Sequence, residues 1–131
     1  MEIFKGSLLK QQLSEAELSA LESDFRHYKA TGELPDTFGR DELFDHPYTP
    51  QLLRQEEVRH IHLQHPSQNW QLNTVQFNRT SDIHLIYCQG YFHPDHYLLI
   101  AILKPNAHEL ERNSNVMRKL GIAAESFRQK Y

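Results

Sequence analysis

The chain has 131 residues, of which 14 are lysine or arginine and 17 are aspartate or glutamate, so its formal net charge is −3. With 39% apolar and 24% charged residues, its composition is that of one globular domain and excludes disordered, collagen-like and coiled-coil classes. The longest fully apolar run, Tyr97 to Leu103, is far shorter than the ~20 residues that span a bilayer, so we expect no membrane partner.

The first segments predict a short strand followed by a helix. Ile3 and Phe4 are the strand candidates. Ser14 and Glu17 form a capping box, in which the side chain of each satisfies a backbone amide at the other. Gly32 is placed to end this helix, since glycine adopts the left-handed cap conformation. Between these signals one apolar stripe recurs at helical spacing: Leu18, Leu21, Phe25 and Tyr28.

Residues 35–57 carry weaker signals. Gly39 and Pro47 favour a loop over 35–48. Thr49 followed by Pro50 offers a helix cap and a proline at the first helical position, which predicts a short helix over 50–55.

The second half predicts a sheet followed by a helix. Val58 to Leu63 alternates, so that His60 and His62 share one strand face. β-Branched and aromatic residues predict further strands. The remaining predicted segments are a strand start at Val75–Phe77, strands over Ile83–Gln89 and Tyr97–Lys104, and a helix from about Ala107 to the end.

This order of elements predicts the α+β class: an antiparallel sheet meander with N-terminal and C-terminal helices packed on it, in a single domain over residues 1–131. The strand Tyr97–Lys104 is apolar on both faces, so we expect it to be central in the sheet.

Charge is distributed unevenly along the chain. Residues 1–57 hold twelve acidic and six basic side chains, whereas residues 101–131 hold six basic and three acidic ones. This pattern favours a local cationic surface on a protein that is negative overall. The single cysteine, Cys88, excludes an internal disulfide framework, and no secretory signal is visible, so we expect a cytoplasmic protein.

Histidines provide the clearest chemical signal, since the phosphate-binding motifs GxxxxGK[ST] and GxGxxG and the metalloprotease motif HExxH are missing. His60 and His62, at i and i+2 on one strand face, could chelate zinc with a third ligand such as His84. They could equally serve as acid–base groups without a metal, since imidazole titrates near neutrality, or be structural.

Cationic residues at strand ends extend this pattern. Arg79 precedes a strand, and its guanidinium fork matches a phosphate. Lys104 ends the last strand, and His108 shares a helix face with Arg112 at i, i+4. In metal-free RNA cleavage a base deprotonates the 2′-hydroxyl, a cation stabilises the phosphorane and an acid protonates the 5′-oxygen. The predicted catalytic set is His60, His62, Arg79, Lys104 and His108.

Several strings resemble the YafO-type toxins of bacterial type II toxin–antitoxin systems. The resemblance runs nearly end to end and is carried by Leu34-Pro35-Asp36, Phe38-Gly39-Arg40-Asp41, His60-Ile61-His62-Leu63, Arg79-Thr80, Tyr87-Cys88-Gln89-Gly90 and Leu98 to Pro105. The element order also resembles the RelE/YoeB toxins. That second resemblance implies a RelE-like fold, with Arg79 near the phosphate-binding arginine of that group.

Kinship with these toxins implies a ribosome-dependent mRNA interferase. We expect it to need no cofactor or metal, because the 2′-hydroxyl of RNA can itself attack the adjacent phosphate. Its partners would be mRNA, the ribosome and a cognate antitoxin protein. Since the pI is about 6.3, RNA affinity would come from a local patch. The predicted RNA- and ribosome-binding residues are Arg40, Arg54, Arg59, Arg112, Arg118 and Lys119. A His-rich metal-dependent hydrolase and a non-catalytic ribosome-binding translation inhibitor are the alternatives.

Overall fold

A five-stranded sheet organises the protein, for which a computed structural model describes residues 1–131. The strands are β1 (Glu2–Lys5), β2 (Phe38–Leu43), β3 (Arg59–Leu63), β4 (His84–Gln89) and β5 (His96–Leu103). The helices are α1 (Ser7–Gln12), α2 (Glu15–Thr31), α3 (Gln51–Gln55), α4 (Ala107–Leu110) and α5 (Ser114–Lys130). None of these helices combines the length and apolar character that crossing a bilayer requires.

The strand order is β1-β5-β4-β3-β2. Strands β3, β4 and β5 form the predicted antiparallel meander, and β2 adds to it by pairing antiparallel with β3. Strand β1 pairs in parallel with β5, so the sheet is mixed. The α+β class is confirmed. The strand expected to be central, β5, is interior, but β4 is the middle strand because β1 occupies the outer edge of β5.

Alternation along the strands creates two separate apolar cores, one on each face of the sheet. Helices α1 and α2 cover the first face, where Phe25 meets Tyr87 and Tyr97 edge-on with ring centroids 5.0 and 5.2 Å apart. Helices α3 and α5 cover the second face, where Met117 and Leu120 are buried against the sheet. Each face of the sheet is therefore covered by its own pair of helices.

Helix α2 begins and ends as the sequence predicts. The Ser14 side chain accepts from the backbone of Glu17, and the Glu17 side chain accepts from the backbone of Ser14. Gly32 caps the other end with φ +79°. The short helix predicted over 50–55 is also present, as α3.

Strand β2 lies inside the segment 35–48 that was predicted as a loop, and that prediction is wrong. The strand is polar, and it is stabilised by pairing with β3 and by the loop that runs beside it. Gly39 permits this approach, because a Cβ there would lie 2.2 Å from the Arg79 carbonyl oxygen. The strand start predicted at Val75–Phe77 is also wrong, because Gln76–Asn78 forms a 3₁₀ turn.

The C-terminal helix predicted from Ala107 onward is two helices. Helix α4 ends at Leu110, and the Asn113 side chain then accepts from the amides of Asn115 and Val116, which starts α5 anew. Helix α1, which carried no recognised signal, packs Leu9 into the first core.

Candidate active site at a histidine cluster

Four imidazoles meet at one end of the sheet: His60 and His62 from β3, His84 from β4 and His108 from α4. We call them the histidine cluster. The rings of His62 and His84 lie 4.0 Å apart between centroids, and His84 lies 5.1 Å from His60 and 5.0 Å from His108.

Strand register and one backbone hydrogen bond assemble this cluster. His62 pairs directly with His84 across β3 and β4, so both side chains leave the same face of the sheet. The amide of Ala107 donates to the carbonyl of Asp82 at 3.0 Å, which ties the start of α4 to the turn before β4. That tie places His108 edge-on against His84.

Burial divides the cluster into an inner and an outer part. His60, His62 and His84 are 8%, 3% and 0% exposed, whereas the side chain of His108 is 59% exposed. Burial, and then the neighbouring His84, lowers the pKa of His60 and of His62 to about 3. These two rings are therefore neutral at pH 7 and out of direct contact with solvent.

Ser81 clamps two of the inner rings through its backbone. Its amide donates to His62 Nδ1 at 2.8 Å, and its carbonyl accepts from His84 Nε2 at 2.9 Å. Since His62 Nδ1 is an acceptor, the neutral ring of His62 carries its proton on Nε2.

Two carboxylates each bind one further imidazole nitrogen of the cluster. Glu111 Oε2 lies 2.5 Å from His84 Nδ1, and Asp82 Oδ1 lies 2.8 Å from His108 Nδ1. A carboxylate that accepts from Nδ1 fixes the tautomer of His108, so that its Nε2 lone pair is available as a base. His108 and Asp82 thus form a carboxylate–imidazole pair of the kind that serves in acid–base catalysis.

The structure brings together some of the predicted catalytic residues. His60, His62 and His108 meet in the cluster, but the first two are enclosed, and Phe44 stacks on His60 with centroids 4.3 Å apart. Lys104 directly follows Leu103, the register partner of His84, and is exposed beside α4. Because His60 and His62 are buried, we expect them to act behind the surface rather than in contact with substrate, and their catalytic role stays a prediction.

Arg79 does not offer its guanidinium to the cluster. Its Nε donates to the Thr74 carbonyl at 3.0 Å and its Nη1 to the Phe38 carbonyl at 3.3 Å. These two bonds leave further N–H donors on the guanidinium, so the phosphate contact from Arg79 stays a prediction.

Three of the predicted RNA-binding arginines have intramolecular partners. Arg59 lies on the opposite face of the sheet, where its Nε donates to Asp41 at 3.2 Å, and its predicted role in RNA binding stays a prediction. The Arg40 guanidinium covers the Phe77 ring at 3.9 Å, and Arg54 donates to the carbonyl of His46. Three predicted cations are exposed on or just before α5: Arg112, Arg118 and Lys119. Arg112 does not share a helix with His108, because α4 ends first.

A second polar network lies under α2 and is centred on Asp41, whose side chain is 5% exposed. The hydroxyls of Tyr28 and Tyr87 each donate to its carboxylate at 2.8 Å, and Lys29 lies 3.5 Å away. Both carboxylate oxygens of Asp41 accept hydrogen bonds, so the network is fully satisfied. Its role is structural, since it links α2, β2, β3 and β4.

Sequence reasoning missed Ser81, Asp82 and Glu111, and it considered His84 only as a possible metal ligand. The bonds of Asp82 and Glu111 join residues 26 and 27 positions apart, so no local spacing reveals them. The one available signal was that Asp82 directly precedes the predicted strand Ile83–Gln89, which carries His84.

Two further chemistries can be assessed from the same residues. His60, His62 and His84 each offer a ring nitrogen, and these atoms lie within 4.8 Å of one another, which suits a metal ion. Cys88 is fully buried, and burial raises its pKa to about 12, which fits a packing residue rather than a nucleophile.

Comparison with known proteins identifies relatives of this chain. The model of a family described as "Toxin YafO, type II toxin-antitoxin system" matches residues 26–129. A protein of Escherichia coli (strain K12) named "mRNA interferase toxin YafO" is 48% identical over 132 residues, which cover 100% of each of the two chains. No solved structure matches.

Proposed function

Since this chain belongs to the YafO family of type II toxin–antitoxin toxins, we propose that it is a ribosome-dependent mRNA interferase whose active site is the exposed end of the histidine cluster. The protein is an mRNA interferase toxin, an endoribonuclease, with mRNA as its target and a cognate antitoxin as its partner. We further propose that it acts on the ribosome in the cytoplasm, through the catalytic residues described below.

One observation carries the assignment of the site: His108 is exposed, and its Nδ1 is bonded to Asp82 at 2.8 Å. In the proposed reaction His108 Nε2 takes the proton of the 2′-hydroxyl. The 2′-oxygen then attacks the adjacent phosphorus, the bond from phosphorus to the 5′-oxygen breaks, and a 2′,3′-cyclic phosphate remains. Acid–base groups placed in this way typically accelerate a reaction by ~10²–10⁴-fold.

Lys104 supplies the positive charge in this scheme. It is exposed where β5 ends beside α4, and an ammonium ion there stabilises the charge that develops on the phosphorane. His60, His62 and His84 act as positioning residues, since they are buried behind His108. Arg79 positions the loop before β4 through its carbonyl contacts.

Two properties of this surface support dependence on the ribosome. The other three imidazoles of the cluster are enclosed, so the proton for the 5′-oxygen comes from water or from a group of the ribosome. The net charge of −3 gives little general attraction to RNA, so Arg112, Arg118 and Lys119 would bind ribosomal RNA locally. The proposal includes a fold of the RelE/YoeB type for this sheet. Those toxins are also ribosome-dependent RNases.

Primer extension on a translated mRNA tests this function. We expect new 5′ ends only when protein and ribosomes are both present, and we expect the same ends when a chelator is added. If naked mRNA were cleaved as fast as mRNA on ribosomes, the proposed dependence on the ribosome would be wrong. Translation arrest without new ends would favour the non-catalytic alternative, and loss of cleavage in chelator would favour the metal-dependent hydrolase.

A further inference from the structure

We propose that His60, His62 and His84 form a zinc-binding site, and that loading this site breaks both backbone hydrogen bonds by which Ser81 holds the cluster. The occupant is a borderline-soft divalent cation, for which neutral imidazoles are preferred ligands.

The donor geometry supports this site. The three candidate nitrogens lie within 4.8 Å of one another and come from two paired strands. Ligand nitrogens around tetrahedral zinc lie ~3.3 Å apart, as metal–nitrogen distances of about 2.0–2.1 Å require. Rotation of the rings would have to close the remaining gap when the ion binds. All three rings are buried, and a water molecule would complete the tetrahedron as the fourth ligand.

Two of the rings are prepared for coordination. His60 Nδ1 is buried and has no hydrogen-bond partner, and coordination would satisfy it. His84 Nδ1 faces the Glu111 carboxylate at 2.5 Å, which leaves Nε2 as its ligand atom. A carboxylate behind a histidine in this way orients the ring and raises its basicity toward a metal.

Coordination competes directly with Ser81. His84 Nε2 now donates to the Ser81 carbonyl, so it must lose its proton to solvent and leave that oxygen before it binds zinc. His62 Nδ1 now accepts from the Ser81 amide. If His62 binds through Nδ1, that lone pair is used, and if it binds through Nε2, Nδ1 must carry the proton. Either way the amide of Ser81 loses its acceptor.

The consequence reaches the neighbouring residue. Asp82 follows Ser81 and holds His108, so release of Ser81 loosens the turn that orients the proposed base. Zinc should therefore inhibit mRNA cleavage, an expectation that rests on the proposed function. Zinc binding and the loss of the Ser81 hydrogen bonds do not rest on it.

Calorimetric titration of the metal-free protein with Zn²⁺, repeated with Co²⁺ in the absorption spectrometer, tests the site. We expect one ion per chain and the intense visible bands of tetrahedral cobalt. His60→Ala and His84→Ala should each weaken binding at least tenfold. The matched control is His93→Ala, because His93 stacks on His96 at 5.0 Å in a different histidine pair. Absence of saturable binding, or equal loss in His93→Ala, would overturn the site.

Nitrogen NMR of the wild-type protein avoids any dependence on how the variants fold. Zinc should shift ring nitrogens of His60, His62 and His84 and move the amide of Ser81. An unmoved Ser81 amide in a zinc-loaded protein would overturn the competition. A protein that binds zinc but never cleaves mRNA, with or without chelator, would remove the proposed function and leave this site standing.

Discussion

His108 Nδ1 and Asp82 Oδ1 lie 2.8 Å apart, across 26 positions of the sequence. Asp82 belongs to the turn before β4 and His108 to α4, and the hydrogen bond from the Ala107 amide to the Asp82 carbonyl holds the two together. This pair is the exposed edge of an otherwise buried row of imidazoles, so it determines where a substrate can meet a base.

Substitution His108→Ala should lower ribosome-dependent mRNA cleavage by ~10²–10⁴-fold, the usual contribution of a positioned acid–base group. Cleavage is measured by primer extension under single-turnover conditions. His27→Ala is a matched control, because His27 is also exposed and bonded to a carboxylate, that of Glu33, at 2.8 Å. Equal activity of the two variants would remove His108 from the site.

Substitution Arg79→Ala should reduce stability rather than act selectively on catalysis. The side chain donates to the carbonyls of Thr74 and Phe38, and each half-buried acceptor left without a partner costs ~1–3 kcal/mol. Urea unfolding measures the effect. A fully stable Arg79→Ala protein that no longer cleaves would favour Arg79 as a phosphate ligand.

Substitution Asp41→Asn should cost ~3–5 kcal/mol of unfolding free energy, because it removes the charge on which Lys29 and Arg59 depend in a largely buried network. The neighbouring Glu42→Gln is the control, since that side chain is 42% exposed. Chemical denaturation compares the two variants, and a small effect for Asp41→Asn would show that the network relaxes.

Alkaline pH should weaken the same network. Burial, and then the negative charge of Asp41, raises the pKa of Tyr28 to about 12 from the usual value of 10.0. A folded pKa above the unfolded one gives stability that is complete below pH 10 and disappears as pH rises through about 12. Tyr28→Phe should therefore lose less stability than wild type between pH 9 and 12, as followed by thermal melts. If the melting temperatures of the two proteins fell in parallel with pH, the contribution of Tyr28 would be contradicted.

Double substitution Arg118→Glu and Lys119→Glu should weaken ribosome binding and flatten its dependence on salt, because both side chains are exposed cations on α5 that the proposed function assigns to ribosomal RNA. Sedimentation with ribosomes at several salt concentrations measures this. Lys10→Glu on α1 is the control, since that helix covers the other face of the sheet. Equal losses would indicate a general charge effect.

The sequence by itself determined several local elements and the family. The capping box at Ser14 and the cap at Gly32 delimit α2 because both act within a few residues. Alternation in β3 correctly placed His60 and His62 on one face, opposite Arg59, because side chains in a strand alternate with a period of two. The strings shared with the toxin family identified the protein's kin and hence its activity.

Only the tertiary structure decided which of these side chains are available for chemistry. Alternation gives the face of a strand but not what covers it, and Phe44 and α4 enclose His60 and His62. Spacing marks Arg79 as a cation but not its acceptors, which come from Phe38 and Thr74. Burial and hydrogen-bond partners depend on segments that are distant in the chain, so they emerge only when those segments pack together.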